Sequence, residues 1–260
     1  MVAAARLRRT QESVMQWRTH VEKMTGIVER LLSRTDPIAH PLLSSREARR
    51  LEVVVITPDR GLCGGFNLAI CQQVEHFIAQ NQSRFEVVSL TIVGEKGCDY
   101  FKRRPVTIRQ EFREVPSKLD YEWISSFTKN LIGDYLAGTF DVLYFFYHRF
   151  KSVLQQIVIE ERVIPFKEAW AQDIPIGYFF EPSRRSVLEK VLLHYLETRI
   201  YAVFVESVTS EHAARMTAMN LATRNALEMV EMLTLAFNKA RQEVITKELM
   251  DIVGGAEALK

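Results

Sequence analysis

From Ser183 to Val253 the chain contains neither glycine nor proline. The run is bounded by Pro182 and by Gly254-Gly255, residues that punctuate the start and stop of helices. As one helix it would be about 107 Å long at 1.5 Å per residue, far more than a compact domain uses. The one stretch that offers a break is "ESVTSEHAA", where Ser207, Thr209 and Ser210 are cap-like and compete for backbone groups.

Within this run Met219, Ala222, Ala226, Val230, Leu233, Phe237, Ala240 and Val244 recur at gaps of three and four, with one extra-residue slip. Such spacing keeps an apolar seam facing a partner helix and relaxes the supercoil at the slip. The other end of the chain repeats the pattern in Leu7, Val14, Trp17, Val21, Met24, Val28 and Leu31, with polar Thr10 filling the first gap. Two seams at opposite ends predict an antiparallel coiled coil with everything else inserted between its arms. The competing reading is that each stripe faces the core of a helical domain.

The middle of the chain changes character. "LEVVVIT", "FEVVSLTIV", "PVTIRQEF", "DVLYFFYHRF" and "LQQIVIEERVIPF" are β-branched or aromatic runs, and helical patterns at 67–80, 94–104 and 117–137 separate the first four. Alternating strands and helices predict a Rossmann-like open α/β sheet, with an antiparallel edge where the last two runs follow closely. The fold class is therefore α/β plus coiled coil. Its parts are an N-terminal coiled-coil helix at 1–35, a polar, proline-bearing connector at 36–49, an α/β domain at 50–182 and a C-terminal coiled-coil helix at 183–260.

Between the first strand and first helix lies "DRGLCGGFN", residues 59–67. Doubly wound folds bind phosphate at that position, through free backbone N–H groups and the positive end of the helix. The loop has neither the G-x-G-x-x-G spacing nor a following Gly-Lys-Ser/Thr, so dinucleotide and Walker signatures both fail. Cys63 at a helix N-terminus is a nucleophile candidate, but no motif supplies its base. His20, His40, His76, His148, His194 and His212 form no metal-binding cluster, and Cys63, Cys71 and Cys98 are too irregularly spaced for a zinc site or a disulfide framework. Reduced thiols and a tight turn of architectural use are the plainer readings.

The net charge of +2 demands no nucleic-acid partner, although residues 1–34 carry Arg6, Arg8, Arg9, Arg18, Lys23, Arg30 and Arg34 against Glu12, Glu22 and Glu29. No stretch reaches the roughly 18–20 apolar residues of a transmembrane helix, and charges from Arg6 onward interrupt any signal-peptide core. Any membrane connection runs through a partner.

"VVVITPDRGLCGGFN", "MVAAARLRRTQE" and above all "SEHAARMTAMNLATRNALEMVEMLTLAFNKARQEVITKELMDIVGGAEAL" resemble the γ subunit of F-type ATP synthases. Over residues 85–182 the likeness rests on "DVLYFFYHRFKSVLQQ" and "YFFEPS". The resemblance implies a non-catalytic rotor. Two terminal helices form an antiparallel coiled coil inside a hexamer of alternating α and β subunits, and the α/β domain sits at the foot against the ε subunit and the membrane ring of c subunits. It implies peripheral attachment, through that ring, at the cytoplasmic face of the bacterial plasma membrane, with no cofactor, metal or catalytic residue on this chain. Arg241, Gln242 and Thr246 match family positions that touch β subunits, and Asp59, Arg60 and Gly61 match a loop that makes contacts at the rotor foot.

Met1 falls on a methionine inside the family's N-terminal helix, which implies roughly two dozen upstream residues, about 35 Å of helix. The alternative is a divergent subunit whose upper shaft is a single helix. Outside this family, the sequence also admits a coiled-coil adaptor, which would fail to associate with α and β subunits, or a Rossmann-like enzyme, which would bind a nucleotide within 50–182. The coupling ion is chosen by other subunits.

Overall fold

A computed structural model describes residues 2–32, 40–43, 46–113, 120–166, 181 and 183–257; the expected connector lies partly, and the "YFFEPS" likeness largely, outside them. Two compact units are present, Met1–Thr217 and Ala218–Lys260.

In the first unit, α1 (Val2–Leu32) precedes β1 (Arg50–Ile56), α2 (Phe66–Asn81), β2 (Val87–Val93), α3 (Glu95–Phe101), β3 (Thr107–Phe112), α4 (Tyr121–Leu136), β4 (Val142–Phe150) and β5 (Gln156–Ile164). All five β-branched or aromatic runs are strands, and the three helical patterns between them are helices. The strands form one sheet of order β3-β2-β1-β4-β5. The first four are mutually parallel and β5 runs antiparallel against β4, the edge expected from its short connection.

The central strand is covered on both faces, which is why it reads as an unbroken apolar run rather than an alternation. Leu51, Val53 and Val55 pack with α2 and α3 through Ile70, Val74, Cys98 and Phe101. Val54 and Ile56 point the other way, into a core built with Val28, Ile124, Phe127, Leu192, Leu196, Ile200 and Phe204. One charged residue interrupts this apolar strand. Glu52 is fully buried, accepts hydrogen bonds from Ser89 and Thr91, and pairs with Arg109, which also pairs with Asp134.

The last helix, α5, runs unbroken from Arg184 to Glu257, 74 residues. Ser183 caps it, its hydroxyl accepting from the Ser186 N–H at 3.3 Å. Two expectations are corrected here. No break occurs at "ESVTSEHAA": the Thr209 hydroxyl shares the Val205 carbonyl with the helical ladder without displacing it, and Ser210 gives its own hydroxyl to the His148 carbonyl outside the helix. Gly254 and Gly255 do not end the helix either; a Cβ at either position would meet nothing, and both keep helical geometry.

The antiparallel pairing of α1 is with the Leu188–Ala213 stretch, one stretch earlier than the Met219–Val244 seam. Thr209 donates to the Thr10 carbonyl, the Trp17 and Tyr201 rings lie 4.2 Å apart, Arg18 pairs with Glu206, and His20 faces His194. Leu7, Val14, Val28 and Leu31 of the predicted seam are buried.

In the second unit α5 is exposed throughout its described side chains from Asn220 onward. Leu227, Met229, Val230, Met232, Leu233, Leu235, Phe237, Val244, Ile245 and Leu249 fall on every side of the helix at 100° per residue. Charged side chains such as Glu228, Glu231, Lys239 and Arg241 are interspersed among them.

Candidate functional site

The glycine loop lies at the carboxyl ends of β1 and β4, where the strand order reverses and where open α/β sheets bind ligands. Its geometry turns that expectation around. Thr57 ends the strand with its hydroxyl given to the Val93 carbonyl at 3.1 Å and accepting the Gly97 N–H at 2.9 Å. Gly94, at φ 101°, lets the next loop press against it; a Cβ there would lie 1.8 Å from the Thr57 carbonyl oxygen. Asp59 accepts the Glu95 N–H at 3.1 Å, so this predicted contact residue also ties the β1 loop to the start of α3.

Leu62 and Gly64 then adopt positive φ values of 64° and 62°. Arg215, on α5, donates from Nε to the Gly61 carbonyl and from Nη2 to the Arg60 carbonyl, each at 3.3 Å, while its Nη1 pairs with Glu211 at 2.6 Å. The loop thus offers carbonyl oxygens to a guanidinium, the reverse of a phosphate cradle, which offers N–H groups to an anion. Arg60 and Leu62 keep exposed side chains.

The same geometry favours the structural reading of the thiols over the nucleophilic one. Cys63 is buried, and burial pushes its thiol above the ordinary range, with the Arg215 charge opposing. Burial likewise raises Cys71 to about 12 and Cys98 to about 11. A nucleophilic cysteine needs the opposite shift. His148, stacked on Phe66 at 3.6 Å, is lowered to about 4 by burial, so its ring stays neutral. Among the described residues no group of histidine, cysteine and carboxylate side chains is placed to hold a metal. A depression of about 130 Å³ lined by Ile78, Phe85, Val88 and Val106 lies away from the loop and is smaller than the roughly 300–1,000 Å³ of ligand pockets.

The other predicted contact residues, Arg241, Gln242 and Thr246, are exposed in the second unit and fall within about 140° of helix arc. Sequence reasoning missed the residues that hold α5 to the sheet: Glu206, Ser210, Glu211 and Arg215. The i,i+4 spacing of Glu211 and Arg215 was the available signal.

The family model described as ATP synthase matches residues 1–259. The ATP synthase gamma chain of Anaeromyxobacter sp. (strain K) is 43% identical over 265 residues, covering 100% of this chain and 91% of that protein. The chain belongs to the ATP synthase gamma family. The ATP synthase gamma chain of Geobacter sp. (strain M21) is 40% identical over 262 residues with the same coverage. Among solved structures, the central stalk and c-ring of Tetrahymena thermophila mitochondrial ATP synthase contains a chain sharing this fold at TM-score 0.66 and 21% identity, covering 86% of this chain and 96% of that one. A chain of Euglena gracilis mitochondrial ATP synthase, in an assembly of OSCP, F1 and c-ring, gives TM-score 0.62 at 18% identity, covering 98% and 95%.

Proposed function

We infer that this chain is the central-stalk rotor of an F-type ATP synthase, transmitting torque between the membrane c-ring and the hexamer of α and β subunits. The observation that carries the reading is the identity to gamma chains over the whole of this chain, 43% in one relative. The geometry supports it. A rotor needs a stiff element, and α5 continues for 74 residues without a break. It needs a bearing, and the large apolar side chains exposed from Leu227 to Leu249 suit a helix enclosed by partner subunits. The chain catalyses nothing itself; the nucleotide chemistry belongs to its partners.

Arg241, Gln242 and Thr246 are then contacts to the β subunits, and Asp59, Arg60 and Gly61 are contacts at the foot, beside the ε subunit and c-ring. Among the described residues no helix is long and apolar enough to cross a membrane; the attachment proposed is peripheral, through the ring. The location proposed is the cytoplasmic face of the bacterial plasma membrane, a reading supported by the bacterial origin of the gamma-chain relatives. Mixing the chain with cognate α and β subunits tests the reading. The expected result is a stable complex with ATPase activity that the chain carrying Arg241→Ala and Gln242→Ala restores poorly; no complex with the unaltered chain would support an adaptor of other partners instead.

A further inference from the structure

Within the first unit, the last three turns of α5 differ from the rest of the helix in what their polar side chains hold. Glu206 receives Arg18 of α1 in a fork, Nε at 2.5 Å and Nη2 at 3.0 Å, and also the Phe150 N–H at 2.8 Å. Arg18 closes the triangle by donating to the Phe150 carbonyl at 2.6 Å. Ser210 donates to the His148 carbonyl at 3.1 Å, and the Thr217 hydroxyl is shared between the Ala213 carbonyl of its own helix, at 3.1 Å, and the Val153 carbonyl, at 3.3 Å. Arg215 donates to the Arg60 and Gly61 carbonyls, supported by Glu211. From Ala218 onward the described side-chain bonds of the helix stay within it, as in Thr223 to Met219, Arg224 to Glu228 and Thr234 to Val230.

We propose that Glu206, Ser210 and Arg215, with Arg18 and the glycine loop, form a torsional clamp that fixes the rotation of α5 about its own axis to the sheet. Two features distinguish a clamp from ordinary packing. The groups these side chains hold on the sheet side are backbone groups, the Phe150 N–H as donor and the His148, Val153, Arg60 and Gly61 carbonyls as acceptors, which move only with the sheet, whereas a side-chain partner can swing. The ties also leave the helix in several directions, toward α1, β4 and the glycine loop, so a twist of either sense stretches some of them. Apolar packing is non-directional and resists sliding weakly; charge-assisted hydrogen bonds fix geometry as well as energy. The unusual backbone at Leu62 and Gly64 follows the two carbonyls that the clamp uses, which gives the glycine-rich loop a purpose without a ligand. These are positioning residues for torque transfer, so the proposal rests on the rotor reading.

The test uses the complex of this chain with α and β subunits, held by the hexamer, with a bead attached at the exposed end of α3 through Lys102→Cys. The angular spread of the bead during pauses reports the torsional compliance between hexamer and bead. Glu206→Gln with Arg215→Met should raise the angular variance by up to about two-fold, since it removes the charged ties of the last three turns while Arg199 stays paired with Glu161 of β5. Arg215→Lys, which keeps one charged donor, should recover part of the stiffness, and Arg224→Met, whose partner is in the same helix, should leave the spread as in the unaltered chain. If the double variant does not assemble, Arg215→Met alone gives the same reading, because Arg215 is at the edge of the core. Unchanged spread in the clamp variants overturns the clamp. An unaltered chain that assembles no rotating complex overturns the rotor reading instead, and the two failures are told apart by that control.

Discussion

Replacing Arg109 by methionine would leave the Glu52 carboxylate at the centre of the sheet without its counter-charge. Glu52 is fully buried, and the Arg109 side chain is only 16% exposed. Nε of Arg109 lies 3.0 Å from Glu52 Oε2 without its N–H aimed at an acceptor, so this contact is ionic, while Nη1 pairs with Asp134 and Nη2 donates to Thr91 at 3.0 Å. Removing one partner of a buried pair typically costs about 3–5 kcal/mol, because the remaining charge is desolvated and uncompensated. At about 2–4 °C per kcal/mol for a unit of this size, the midpoint of thermal unfolding should fall by about 6–20 °C. Glu52→Gln removes the charge, keeps one carbonyl oxygen as acceptor for one of the Ser89 and Thr91 hydroxyls and offers the other an N–H to accept, so adding it to Arg109→Met should restore part of the loss. Trp123, packed on Phe127 and Phe112, supplies an intrinsic fluorescence signal for the unfolding of this unit. A cost near that of a surface pair, below about 1 kcal/mol, would refute the reasoning. So would a double variant whose loss is the simple sum of the two single ones.

The three thiols should resist alkylation at pH 8 in the folded protein and react fully in urea, because burial raises all three above that pH range; quantitative labelling of the native chain would contradict this. His148, lowered to about 4 by burial, is neutral when folded and titrates near 6.5 when unfolded. Its contribution is therefore fully present above about pH 6.5 and is lost as pH falls toward 4, worth roughly 3 kcal/mol across that window. His148→Phe, which preserves the stack on Phe66, should flatten this part of the stability profile measured by urea unfolding. Gly94→Ala should prevent folding of the first unit, its Cβ landing 1.8 Å from a backbone oxygen, whereas Gly133→Ala inside α4, where a Cβ meets nothing, should raise stability by about 0.5–1 kcal/mol in denaturant titrations.

Most of the architecture was legible because the elements that build it carry strong local signals. Parallel strands buried on both faces write themselves as runs such as "LEVVVIT", and a helix of 74 residues announces itself by lacking breakers. The partner of α1 was harder to read. The three-four repeat occurs on more than one stretch of α5, and repeat spacing says that a seam exists without saying which stretch fills it. Glu52 was invisible for a related reason: a carboxylate in a strand reads as a solvent-facing position until Ser89 and Thr91 of the adjacent β2 and Arg109 of β3 beyond it are seen converging on it. Gly254-Gly255 misled because glycine permits a helix stop without enforcing one. At the site, the absence of a nucleotide motif was readable, but the use of the glycine loop was not. That use depends on Arg215, which lies 154 positions from Gly61 along the chain.

Rotation is the most direct test of the central claim. A bead fixed to the α/β domain of this chain, in a complex with surface-held α and β subunits, should turn steadily in one direction when ATP is supplied and stop when it is removed. A complex that assembles and hydrolyses ATP while the bead only fluctuates about a fixed angle would contradict the account, because the chain would then occupy the stalk without carrying torque.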